Sequence, residues 1–462
     1  MIAVSIKDLR ALLNAQLIQG ATNFSVKQAL HYQQLDSIKR DALIFLRKNE
    51  SVDWKRLAQH APIVIVSDKA EEELRKAPIA ITILQVKNMH RAFWQFVDYY
   101  RELFTIPVVA LTGTCGKTTT KEMIRHILLE DWQVQATVSS INEPRQSLNY
   151  LTMVDRKTQA AVFELGLGNL GNIKHQCLIY KPTIGIITNI GVHHLDGCKS
   201  LQGYIQAKAE IVDGIQENGT LIMNADDENS KKISLTAFKG KIVTFSVKQN
   251  ANYKASNIQY VAGGMRFSLL KEKERYECFV PGYGEHQVYN ALAAFAATTE
   301  MGFPLRKAIA KLRTFKNMER HLQFSSGLAG STIIDDTWTN NPTSIEAALK
   351  VLQAVGKEKK RVVILGDIKR LGKYERQYHR EIGTLIAKQS IDTLITIGNS
   401  AKEIALQAKA DGTTARVHSF TDVTGVMDLL KKILTKDAIV LIKGPMSSRS
   451  MIGFASELKG KN

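Results

Sequence analysis

Apolar residues along this chain fall into short, β-branched runs separated by stretches of helical spacing. Between 108 and about 320 the runs "VVALTG", "AAVFELG", "TIGIITNIG" and "GTLIMNAD" alternate with helical segments, which predicts a mostly parallel sheet covered by helices. After Arg320 the same rhythm returns in "STIIDD", "RVVILGD", "DTLITIG" and "AIVLIKG". Earlier, "APIVIVSD" and "IAITILQV" lead into an aromatic-rich helix, "MHRAFWQFVDYYREL", and Pro107 then opens a new strand. The start, "MIAVSIKDLRALLNAQL", predicts an amphipathic helix with Ser5 as its N-cap and Ile6, Leu9, Leu12 and Leu13 on one face. Residues from about 235 to 285 ("KIVTFSV", "MRFSLL", "YECFVPG") predict an antiparallel flap. The expectation is an α/β protein of three domains in series, over 1–106, 107–319 and 320–462.

Composition narrows this picture. A chain of 462 residues exceeds one ordinary core, and 44% hydrophobic with 23% charged residues is the balance of a soluble globular protein. No apolar run approaches a membrane span and the start lacks a signal peptide's continuous apolar region, so a cytosolic monomer without membrane insertion is expected. Cys115, Cys177, Cys198 and Cys278 have no paired spacing and read as free thiols. The net charge of +18 favours anionic partners, yet Lys and Arg are spread throughout and no aromatic-basic signature of an RNA-recognition module occurs. Phosphorylated small molecules, rather than nucleic acid, are the expected partners.

The stretch "TGTCGKTTT" carries the strongest chemistry. Gly113 and Gly116 let the backbone curl so that successive N–H groups, through Thr114, Cys115 and Thr119, face inward at a helix start. Lys117 reaches the β and γ phosphates, and the Thr118 hydroxyl is placed for Mg²⁺. The eight-residue phosphate-loop pattern has glycine where Leu111 stands, but the order of strand, glycine turn and helix supports ATP or GTP binding. Gly166, Gly168 and Gly171 have dinucleotide spacing, a weak signal for NAD beside a phosphate loop. Glu164, at a strand's C-terminal end, is a candidate Mg²⁺ ligand. His193 or His194, in "TNIGVHHLDG", is a candidate for a second ion. Lys208 reads from spacing alone as a surface lysine.

The ordered segments "TGTCGKTTTK", "FELGLGNLGNI", "PTIGIITNIGVHHLDG", "AKAEI", "NADD", "GEHQVYNALAAFA", "ERH", "IIDDTWTNNPTSIEAAL" and "VLIKG" resemble the Mur ligases over residues 107–445. The resemblance is nearest to the branch that adds D-alanyl-D-alanine to UDP-N-acetylmuramoyl-tripeptide in peptidoglycan synthesis. It implies an ATP-dependent amide ligase with an N-terminal substrate domain, a central ATPase and a Rossmann-like C-terminal domain, working through an acyl phosphate. By this resemblance Lys117 contacts the transferring phosphate, while Thr118 and Glu164 hold the first of two Mg²⁺ ions. His194 matches the second site, and Lys208 matches a lysine carbamoylated by CO₂. Asn290 and His286 resemble adenine contacts, Arg320 a phosphate contact and Asp336 a ribose contact. Asn142, Arg145, Asn341 and Lys443 fall at substrate-facing positions.

Departures from that family cluster where substrate is read. Asp36 and Ser37 remain of a UDP-sugar signature, but Ile38 stands where arginine is expected. Arg145 and Gln146 replace a glycine-valine pair, Arg370 replaces an acid, and Pro445 a serine. Two readings follow: a divergent ligase of that branch, or one repurposed for another acidic carboxylate and amine. An inactive nucleotide-binding scaffold is the alternative of another class.

Overall fold

The computed structural model describes residues 1–459, without the side chains of Leu35 and Asp36. The expected part of Asp36 in a UDP-sugar signature therefore lies outside the described residues. Three larger sheets succeed one another along the chain. The first orders its strands Gln16–Gln19, Ile81–Gln85, Ile63–Ser67, Ala42–Leu46 and Gln28–His31, with only the first antiparallel to its neighbour. The aromatic-rich helix forms over Met89–Glu102, and Ser5 caps the opening helix by accepting from the Asp8 N–H at 3.1 Å. Ile6, Leu9 and Leu13 of that helix are buried and Leu12 is half-buried.

The central sheet has nine strands, in spatial order Glu274–Pro281, Gly264–Lys271, Tyr253–Val261, Lys241–Ser246, Thr220–Asn224, Ile184–Ile187, Val108–Thr112, Ala160–Glu164 and Val134–Ala136. Val108–Thr112, Ala160–Glu164 and Ile184–Ile187 are buried at every residue, which is why they read as unbroken apolar runs. One expectation is corrected here. Lys241–Ser246 pairs in parallel with Thr220–Asn224, and the antiparallel strands after it extend the edge of the same sheet instead of forming a flap. Period-two alternation is common to both pairings, and the partner that decides between them is not local.

The third sheet runs Gln323–Ser326, Thr332–Asp336, Ala438–Lys443, Lys360–Gly366, Thr393–Ile397 and Arg416–Phe420, parallel apart from its first strand. It has its own apolar core on each face. The first sheet is different: Phe45, Phe93, Phe96 and Tyr100 share one core with Leu148, Phe163, Ile173 and Tyr180 of the central unit. Arg101, itself buried, crosses the same junction by donating to the carbonyls of Tyr180 at 2.7 Å and Lys181 at 3.1 Å. Among the described residues no helix is long and apolar enough to cross a membrane, and all four cysteines are free.

Candidate active site

The phosphate loop leaves the C-terminal end of Val108–Thr112 and enters the helix Lys117–Leu128. Glycine is required there because a Cβ on Gly113 would lie 1.9 Å from the Thr188 hydroxyl oxygen, and one on Gly116 2.3 Å from Asn290 Oδ1. The neighbouring strand end pins the loop: Cys115 N donates to Asn189 Oδ1 at 3.1 Å, and Thr188 Oγ1 donates to the Cys115 carbonyl at 2.7 Å. Thr114 Oγ1 accepts from Gly191 N at 2.8 Å and lies 3.1 Å from the Tyr204 hydroxyl. Thr118 and Thr119 occupy the first turn of the helix. Lys117 Nζ rests 3.4 Å from the Thr114 carbonyl, folded back over the loop.

Glu164 is 2% exposed at the adjacent strand end. Its Oε1 accepts from Asn142 Nδ2 at 2.7 Å, while Oε2 is buried without a partner. An orphaned carboxylate oxygen beside a phosphate loop suits a hard cation. Among the described residues no group of three or more His, Cys, Asp and Glu forms a metal cluster. A cation held here would thus share Glu164 with the Thr118 hydroxyl and phosphate oxygens. His194, in a left-handed conformation at φ 51°, presents a buried, unpartnered Nδ1. Burial, with Lys208, Lys117 and Arg370 nearby, pushes it down to about 3 and keeps its ring neutral for a metal.

Lys208 is 1% exposed and donates to Thr112 Oγ1 at 3.0 Å, with its ammonium 5.1 Å from the Tyr204 ring centre. Burial first, then the charge of Lys117, pushes its amine well below the ordinary lysine range. The spacing-based expectation of a surface lysine is thereby corrected. Tyr204 and Lys208 lie four residues apart on the helix Leu201–Gly214, whose buried stripe continues through Ile211 and Val212. Two residues further, Glu210 accepts from Gly171 N at 2.6 Å and Lys174 N at 3.0 Å. The chain's own carboxylate therefore fills the helix start that had dinucleotide spacing.

The third sheet closes the cleft. Asp336 pairs with the buried Lys443, which also donates to the Thr339 carbonyl at 2.9 Å. Arg320 sits with its guanidinium carbon 4.5 Å over the Trp338 ring. Asn341 caps the helix Pro342–Val355, and its Oδ1 lies 3.5 Å from Cys115 Sγ. Its Nδ2 is buried without a partner. Thr118, Phe315, Arg320, His321 and Trp338 line a cavity of about 720 Å³. Asn290 lies beneath the phosphate loop, 3.4 Å from Thr120 Oγ1, and half-buried His286 is pushed down to about 4 chiefly by burial.

Arg145 is apart from this group. It pairs with Glu143 at 2.5 Å and, with His31, Arg47, Phe93 and His175, lines a second cavity of about 730 Å³ between the first and central units. His31 stacks on Phe93 at 4.8 Å. Of the two loop residues expected at substrate, Arg145 faces this cavity whereas Asn142 is turned to Glu164.

With this geometry, similarity to known proteins becomes specific. Residues 111–298 match the Mur ligase middle domain, and residues 320–446 match the Mur ligase glutamate ligase domain. The UDP-N-acetylmuramoyl-tripeptide--D-alanyl-D-alanine ligase of Haemophilus influenzae is 30% identical over 98% of this chain and 97% of its own. The chain belongs to the Mur ligase family. Among solved Mur ligase structures, MurF from Acinetobacter baumannii matches 99% of both chains with a TM-score of 0.84 at 25% identity. A Thermotoga maritima MurF in complex with ADP shares the fold, with a TM-score of 0.78 at 18% identity over 94% of this chain and 98% of that one. Sequence reasoning about this Mur ligase missed Thr112, Thr137 and Tyr204 as braces of the site, since each acts through partners remote in sequence.

Proposed function

We infer that this Mur ligase is an ATP-dependent peptide ligase of the MurF type, joining UDP-N-acetylmuramoyl-tripeptide to D-alanyl-D-alanine in peptidoglycan synthesis. The carrying observation is the convergence of Lys117, the orphaned oxygen of Glu164 and buried Lys208 beside a cleft lined by Thr118 and Arg320. A carboxylate is a poor electrophile. Its oxygen attacks the γ-phosphorus of ATP, ADP leaves, and the acyl phosphate carries phosphate as a leaving group. The dipeptide amine then attacks the carbonyl carbon, inorganic phosphate departs, and the amine loses a proton.

Protein groups contribute position and charge. Lys117 contacts the transferring phosphoryl group, Arg320 draws in the phosphates from the third unit, and Asp336 orients the ribose. His286 and Asn290 bound the adenine side. Thr118 and Glu164 would hold one magnesium ion, with His194 and Lys208 at a second site, and magnesium bound there would neutralise charge on the phosphates. Burial lowers the Lys208 pKa, which favours addition of its amine to CO₂ with loss of a proton, and the resulting carbamate would supply an anionic ligand. The cavity between His31 and Arg145 receives the acidic acceptor, and Asn341 and Lys443 approach the reacting end. The protein acts as a cytoplasmic monomer.

The exposed Arg145–Glu143 pair in that cavity favours, as a second reading, a related ligase with a different acidic acceptor. Purified protein with Mg·ATP is tested against both substrates together and each alone, with phosphate release and product mass as readouts. One phosphate per new amide, dependent on both substrates, supports the MurF reading. ATP binding without that product supports the second, and hydrolysis indifferent to every acceptor would return the chain to a scaffold.

A further inference from the structure

Lys121 lies in the phosphate-loop helix, 0% exposed, and none of the chemistry above uses it. Its ammonium donates to the carbonyls of Thr137 and Ser139 at 2.5 Å each and pairs with Glu122 at 2.9 Å. An ammonium has three protons, and each here has a partner. Thr137 and Ser139 belong to the crossover that leaves the edge strand Val134–Ala136 and leads to Asn142. Glu164 holds that crossover from two sides: its N–H donates to Thr137 Oγ1 at 2.7 Å, and its Oε1 accepts from Asn142 Nδ2 at 2.7 Å. Tyr150 braces the middle, donating to the Ile141 carbonyl at 2.8 Å and accepting from Val138 N at 3.3 Å. With Oε1 engaged, the direction of Oε2 is fixed by where the crossover puts Asn142.

We propose that Lys121 is a positioning residue that ties the crossover 137–142 to the phosphate-loop helix and so aims Glu164 Oε2 at the cation held with Thr118. Thr118 and Lys121 are three residues apart on one helix, so a single rigid element carries one ligand and fixes the direction of the other. A structural lysine anywhere in the core would stabilise the fold. This one does so at the carbonyl of Thr137, the residue whose hydroxyl is bonded to Glu164, and at that of Ser139 two residues on.

The proposal rests on Glu164 as a cation ligand, and the experiment separates the two. Mn²⁺ binding is followed by electron paramagnetic resonance on the full chain with the β,γ-imido analogue of ATP, for the parent, Lys121→Met, Thr137→Val and Glu164→Gln, alongside thermal unfolding and analogue affinity without metal. Lys121→Met is expected to weaken Mn²⁺ about 10- to 100-fold, as loss of a ligand-orienting partner does, while metal-free analogue affinity changes less than about twofold. Thr137→Val, which keeps Lys121 and the fold, weakens Mn²⁺ in the same direction. If Thr137→Val, or a folded Lys121→Met, binds Mn²⁺ as the parent does, the proposal is overturned. An equal loss of analogue affinity without metal also overturns it, by assigning the damage to the phosphate loop. Glu164→Gln with parental Mn²⁺ binding overturns both the proposal and the metal reading beneath it.

Discussion

The first and third units meet the central sheet by different physics. At the first junction, the aromatic face of Met89–Glu102 enters a continuous core with Phe163 and Tyr180, and Arg101 satisfies carbonyls across it. At the second, polar contacts stand beside smaller apolar ones: Leu195 N donates to the Arg370 carbonyl at 2.8 Å, Arg370 pairs with Asp196 at 3.2 Å, Cys115 touches Asn341, the Tyr283 and Phe324 rings meet at 4.9 Å, and Tyr378 packs against the central core. A shared core resists relative motion more than a smaller, more polar junction does. On the proposed reading, the cavity lined by His31 and Arg145 lies in the first kind of junction and the cavity lined by Thr118 and Arg320 in the second.

The largest test lies where both junctions converge on the central sheet. Lys208→Ala should lower the rate of amide formation about 10²- to 10³-fold, the scale of losing one preorganised electrostatic group, with nucleotide affinity nearly kept. Steady-state kinetics and nucleotide titration check it, and partial recovery with added short carboxylic acids would tie the loss to an anionic lysine derivative. Next, Phe96→Ala should cost about 3–5 kcal/mol and lower a single calorimetric transition that contains both the first and central units. A first unit that melts alone would break the comparison. Smaller still, Arg370→Glu should raise the KM for ATP about two- to fivefold, consistent with an exposed pair worth about 0.2–1 kcal/mol. Pairing it with Asp196→Lys should restore most of the loss.

A further effect is in pH. Burial pushes His31 at the first junction and His286 at the second down to about 4 from an ordinary value near 6.5. The folded state binds these protons less readily than the unfolded chain. Their contribution to stability is therefore complete above about pH 6.5 and is lost as pH falls towards 4. Melting temperatures between pH 7 and 5 should fall less in His31→Phe and in His286→Asn than in the parent.

Much of this was legible in the sequence, for reasons that differ by residue. The phosphate loop is local, so its glycines, Lys117 and Thr118 declare themselves within a dozen positions. Lys208 was misread from spacing even though Tyr204, Ile211 and Val212 flank it on one stripe; a lysine on an apolar stripe is the signal that was available. Lys121 gave no local sign, because the carbonyls it serves arrive sixteen and eighteen residues later. Pro107 marks where a strand begins, yet nothing in a boundary residue tells whether the two sides share a core. The aromatic density of "MHRAFWQFVDYYREL" did hold that information, since Phe93 and Phe96 need cover.

Glu210 gives the site a property of another kind. Two glycine-bearing turns follow each other along the central sheet, each aiming backbone N–H groups from a helix start, and only the first is open to a diffusing anion. The second is plugged from within by the helix that also carries Lys208. One helix thus ties two neighbouring turns together, Lys208 reaching Thr112 at the foot of the first and Glu210 closing the second.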